Sequence, residues 1–178
     1  MPQQILDFWF KEISPSQWWA KDSRFDQLIA SRFGHVLQQA ARGELEHWRK
    51  TAKGRLAEII VLDQFSRNIY RNTPAAFSQD AMALVLAQEA VAGGALTELT
   101  ADERSFLLLP YMHSESTVIH TLAEALYKKH APDTNYQFEL KHKAIIDRFG
   151  RYPHRNAILG RTSTPEELEF LIQPGSGF

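Results

Sequence analysis

Apolar positions recur at steps of three and four along most of this chain, the period of an amphipathic helix. Phe25, Leu28, Ile29, Phe33, Val36, Leu37 and Ala40 form the first clear stripe. Asp22 or Ser23 is placed to cap its start, and Gly43 to end it. A brief helix carrying Trp48 is expected from Leu45 to Lys50. Leu56, Ile59, Ile60, Leu62 and Phe65 make the next helix so apolar that it should lie at the centre of the fold. It is expected to end near Arg67 to Tyr70, ahead of the stop signal Asn72-Thr73-Pro74.

Ser78 is the expected cap of a helix through Met82, Leu84, Val85, Leu86 and Ala90 to Gly93-Gly94. Thr100-Ala101-Asp102-Glu103 has capping-box spacing, and so has Thr164-Pro165-Glu166-Glu167, with proline at the first helical position. Pro110 should break or kink the helix that Thr100 opens, with a new one running from about His113 to His130. Ala131-Pro132-Asp133 separates that from a helix ending before Gly150. Ile59-Ile60-Val61 is the nearest approach to a strand and sits inside a helical period. The expectation is an all-α chain of about eight to ten helices in antiparallel hairpins. Residues 1–178 read as one domain, with a mobile tail from about residue 172.

Composition narrows the function classes. A chain of 178 residues can bury roughly 70% of its unfolded surface, so it needs no disulfide or metal to fold. It contains no cysteine, which removes thiolate metal sites and cysteine nucleophiles and fits a cytoplasmic protein. A net charge of −1 gives no electrostatic case for nucleic acid. No apolar run approaches a membrane span, and the first residues lack the pattern of a signal peptide.

The candidate chemistry sits in three segments. The first is Asp63-Gln64-Phe65-Ser66-Arg67-Asn68-Ile69-Tyr70-Arg71. Asp63, Arg67 and Arg71 are four apart and share a face if the helix persists. An intrahelical ion pair is the preferred reading of Asp63 with Arg67. The second is Pro110-Tyr111-Met112-His113-Ser114-Glu115, where His113 could move a proton and Glu115 could hold its tautomer. The third runs from Phe149 to Arg161 and carries Arg151, His154, Arg155, Asn156 and Arg161 between Gly150 and Gly160. Arginine offers a planar fork suited to carboxylate or phosphate, and few carboxylates lie nearby in sequence. Asp147 is the closest upstream, an expected partner of Arg148 or Arg151. No metal motif, phosphate-binding glycine loop or nucleophile elbow occurs, so no metal or cofactor is expected. Trp18 and Trp19 are adjacent and cannot both face one core, which leaves one for a pocket wall or a homodimer interface.

Together these segments resemble a bacterial family called domain of unknown function 924. The resemblance rests on Leu6-Asp7-Phe8-Trp9-Phe10 with Trp18-Trp19, the Asp63–Arg71 segment, His113-Ser114-Glu115, the Phe149–Arg161 segment and the Thr164–Glu167 box. Ser66 stands where the family pattern has proline, and Tyr111-Met112 where it has Leu-Glu. The resemblance implies a tetratricopeptide-like α-α superhelix and implies no activity. The leading expectation is a polar pocket for a small anion. Arg67, Arg71, Arg151, Arg155 and Arg161 would donate, Asn68, Asn156 and Asp63 would orient, and His113, Glu115 and His154 would carry any metal-free acid–base chemistry. The alternative is a scaffold that binds a peptide or protein partner without catalysis. Sequence does not decide between enzyme and binder.

Overall fold

The structure, a computed structural model, describes residues 1–177. The expected mobile tail includes Phe178, which lies outside the described residues. Among the described residues there is no strand. The helices are α1 (Pro2–Asp7), α2 (Ser23–Ala41), α3 (Ala52–Ile60), α4 (Ser66–Ile69), α5 (Asp80–Ala92), α6 (Ala101–Met112), α7 (Thr117–His130), α8 (Asp133–Phe149) and α9 (Pro165–Leu171). Two wide π-helical turns extend α1 and α3, at Phe8–Glu12 and Val61–Phe65. Short 3-10 turns at Pro15–Trp19, Glu46–Lys50, Pro74–Phe77, Ala95–Thr97 and Pro153–Arg155 fill the connections. No helix among the described residues is long and apolar enough to cross a membrane.

The stretch from α3 to α4 is central, as its apolar pattern predicts. Leu56, Ile59, Ile60, Leu62 and Phe65 are all fully buried. Around Phe65 the N-terminal aromatics close a cluster: Phe33 stacks at 5.2 Å and Trp9 tilts at 5.6 Å, while Trp9 meets Phe106 of α6 edge-on at 5.6 Å. Trp18 sends its indole N–H to the Trp9 carbonyl at 2.8 Å, and Trp19 lies flat on Phe106 with 59% of its surface exposed. The adjacent tryptophans thus divide as their spacing requires. A smaller C-terminal cluster, Ile145, Ile146 and Tyr152 with Phe149 and Phe170, joins α8 to the segment after it.

Several local signals act as expected. Asp22 caps α2, and both capping boxes form, with Glu103 and Glu167 accepting from the amides of Thr100 and Thr164. Gly150 and Gly160 take φ of +70° and +67°, which side chains other than glycine rarely adopt. Ser78 departs from expectation. Its hydroxyl turns back to the Ala75 carbonyl, and α5 starts without a side-chain cap. Pro110 departs too, because α6 runs through it to Met112. Only Tyr111 and Met112 of α6 lie beyond Pro110, all three are buried, and a single lost donor does not stop the helix. The next helix begins at Thr117, capped by Ser116, rather than at His113. His113 to Ser116 therefore form a loop.

Gly54, in the first turn of α3, shows how closely the centre packs. A Cβ there would stand 1.9 Å from the Trp48 carbonyl oxygen. Gly54→Ala is expected to cost about 2–3 kcal/mol through forced displacement of that turn. Urea unfolding would read this as a lowered midpoint at unchanged slope, and an unchanged midpoint would show that the turn relaxes freely.

Candidate functional site

The π-helical turn Val61–Phe65 is buried throughout, so it carries two polar side chains, Asp63 and Gln64, into the interior. Wide turns of this kind re-aim side chains and recur at functional sites. Asp63 is 1% exposed. One of its carboxylate oxygens accepts from His113 Nδ1 at 2.7 Å and lies 3.1 Å from Arg67, while the other accepts from the Gln64 amide. Burial by itself would raise the Asp63 pKa. The Arg67 charge and His113 overcome it and hold the carboxyl below the usual carboxylate range. The His113 pKa is lowered as well, because burial and then Arg67 disfavour the imidazolium, and for a histidine that favours the neutral form. The pair is thus an ionised carboxylate holding a neutral imidazole by its Nδ1–H. The Nε2 lone pair is the group left to accept a proton, on a side chain 15% exposed.

Arg67 also grips Asp80 with two bonds of 2.8 and 2.9 Å. Asp80 is the first residue of α5. Its second oxygen lies 3.5 Å from Arg155, whose other terminal nitrogen donates to the His113 carbonyl at 3.0 Å. The Arg155 guanidinium stacks between Phe77 at 4.6 Å and Tyr152 at 4.7 Å. Its side chain is only 7% exposed, and its Nε has no hydrogen-bond partner. Burial and the neighbouring Arg67 lower its pKa. The two Arg-Asn segments and the His-Ser-Glu loop therefore meet, through Arg67, Arg155 and His113.

The other arginines are closed by carboxylates distant in sequence. Arg71, beyond the end of α4, takes Asp26 of α2 at 2.6 and 2.7 Å, and Asn68 donates to the same group at 2.8 Å. Because α4 stops at Ile69, Arg71 leaves the face it was expected to share with Asp63 and Arg67. Arg161 takes Glu115 at 2.7 and 2.9 Å, and Glu115 also accepts from the Tyr152 amide. Glu115 therefore holds the Gly150–Arg161 segment and not the His113 tautomer, a role that falls to Asp63. Arg151 takes Glu167 at 2.7 and 2.8 Å, with Asn156 bridging to Glu167 and to Arg161. Asp147 pairs with Lys143 instead of Arg148 or Arg151.

Behind this layer lies a histidine group around Tyr152. His120 Nε2 donates to the Ser114 carbonyl at 2.8 Å, its Nδ1 faces the buried Glu139 at 2.7 Å, and the Tyr152 hydroxyl donates to the Met112 carbonyl. These bonds anchor the backbone on either side of His113. His142 and His154 place their rings 5.8 and 5.6 Å from Tyr152. Burial pushes their pKa values down to about 3 and about 4. Spacing gave no sign of Asp26, Phe77, Asp80, Glu139 or Tyr152 as members of this network. Glu167 had a signal only as part of a capping box. No group of three or more histidine and acidic side chains among the described residues is arranged to hold a metal ion.

No curated protein matches the chain. A solved structure of a protein of unknown function from Agrobacterium tumefaciens is similar over 96% of each chain, with 36% identity and a TM-score of 0.91. The model of a family described as "Bacterial protein of unknown function (DUF924)" matches residues 5–175. The all-α chain, with its linked Arg-Asn segments and His-Ser-Glu loop, belongs to that family.

Proposed function

We propose that the protein binds a small phosphate- or carboxylate-bearing ligand beside Arg155, with His113 as a metal-free general base. One observation carries this reading. A neutral imidazole, fixed by a buried carboxylate, stands next to a buried guanidinium that lacks a close carboxylate of its own. An anion at Arg155 would replace the long, shared contact with Asp80 by close bonds of its own, and His113 Nε2 would take a proton from the group that anion carries. His154 is the second proton-transfer group, and Glu115 and Asn156 hold the segment that presents it. The absence of cysteine suits the reducing cytoplasm.

A thermal-shift screen against anionic metabolites tests the proposal. A ligand at 100 times its dissociation constant adds about 2.7 kcal/mol, a midpoint rise of roughly 5–10 °C for a chain of this size. The rise should follow one anion class and vanish in a folded Arg155→Ala variant. A flat screen would sink the proposal.

A second reading is favoured by the closed ion pairs of Arg71, Arg151 and Arg161, which cross-link separate elements as structural caps do. On that reading the chain is a tetratricopeptide-like scaffold for a peptide or protein, and Arg155→Ala unfolds it. Trp19 would then be the first surface to test, with sedimentation reporting whether it joins two copies.

A further inference from the structure

The group already lodged between Arg67 and Arg155 indicates what the ligand looks like, an inference that rests on the anion-pocket reading above. Asp80 places one carboxylate against both guanidiniums, at 2.8 and 2.9 Å from Arg67 and 3.5 Å from Arg155. Phe77, three residues earlier, lays its ring over the same two groups, at 5.5 Å from Arg67 and 4.6 Å from Arg155. Both side chains come from one short segment. It follows Asn72, whose φ is 63°, and leads into a helix start that has no side-chain cap. A carboxylate and a flat apolar ring are thus offered together to two arginines, next to a histidine with a free proton-accepting nitrogen. The buried Nε of Arg155 is a donor that this arrangement leaves unfilled.

We propose that residues 74–80 are an internal occupant of the anion site, and that the ligand is a carboxylate borne on a flat apolar group. The ligand displaces Asp80 and Phe77 and takes over their contacts. Its carboxylate bridges Arg67 and Arg155, while its ring takes the guanidinium face that Phe77 covers. Charge favours a carboxylate over phosphate. Arg67 and Arg155 face Asp63 and Asp80, and His113 is neutral, so the cluster is balanced. A monoanion in place of Asp80 keeps that balance, whereas a dianion leaves one negative charge uncompensated beside the buried Asp63.

Calorimetric titration of benzoate and of inorganic phosphate into the wild type, Asp80→Asn and Phe77→Ala is the test. Removing the internal competitor should tighten benzoate binding at least tenfold in Asp80→Asn, with a smaller gain in Phe77→Ala and little change for phosphate. Benzoate affinity unchanged or weakened in both variants overturns the occupant, and an equal gain for phosphate overturns the ligand class. If Asp80→Asn does not fold, Phe77→Ala decides alone, because a ring that merely walls the site would weaken benzoate when removed. Anion binding by the wild type without any gain in the variants leaves the pocket reading standing and removes this one. No binding of either probe to any of the three proteins removes both.

Discussion

Replacing Asp63 with alanine lowers the unfolding free energy by about 3–5 kcal/mol, the range for breaking a buried ion pair from one side. The carboxylate serves three donors at once: His113, Arg67 and Gln64. Without it, Asp80 is the carboxylate left to Arg67, and Asp80 is already shared with Arg155. His113 loses the partner that fixes its tautomer. Asp63→Asn should cost less, because the amide oxygen can still accept from His113 and the Gln64 amide can turn its oxygen to the new N–H. Urea unfolding of both variants checks the ordering. A loss below about 1 kcal/mol for alanine would mean that water reaches the cluster and replaces the carboxylate.

Acid is expected to destabilise the protein well above the pH at which its ion pairs are lost. His142 and His154 are held at about 3 and about 4 in the folded chain, against 6.5 for the free side chain. Their folded values are depressed, so the unfolded state binds protons first as pH falls below 6.5, and stability drops until the folded rings titrate. Two protons taken up on unfolding correspond to about 2.7 kcal/mol per pH unit. The unfolded rings are only half protonated at pH 6.5, so between about pH 6.5 and about pH 5 the loss is about 3 kcal/mol, a large share of a typical domain's stability. His113 and His130 shift in the same direction. Glu139 acts with the opposite sign, since burial favours its protonated form, and offsets part of the loss. Asp63, held low, and Glu167, at about 2, stay charged through this window, so the histidines account for it. Urea unfolding at a series of pH values gives the slope directly. A slope under half that expected would show that one ring is protonated in the folded state.

The sequence carried the helices and most of their ends, because those are decided within a few residues. The stripe from Phe25 to Ala40, the boxes at Thr100 and Thr164, and the positive φ at Gly150 and Gly160 depend only on neighbours in the chain. Pro110 misled for a related reason. Proline removes one helical donor and crowds the carbonyl four residues earlier, and the buried packing of Phe106 to Met112 outweighs that local cost. The candidate histidine was legible in His113-Ser114-Glu115, but its partner was not. Glu115 is two residues away and pairs with Arg161, whereas Asp63 is fifty residues away and pairs with His113.

The sequence by itself determined that the chain is helical, where most of its helices start and stop, and which residues carry charge suited to a polar site. Tertiary structure alone decided how that charge is balanced. An arginine run with few local carboxylates reads as an open anion site, yet Asp26, Glu115 and Glu167 close Arg71, Arg161 and Arg151 from other elements. Arg155 is the member of that run left with a 3.5 Å contact and an unpartnered Nε. The physical reason is range. Capping and helical periodicity act over one turn, whereas a buried charge is compensated by whatever the packed helices bring within a few ångströms, at any separation along the chain.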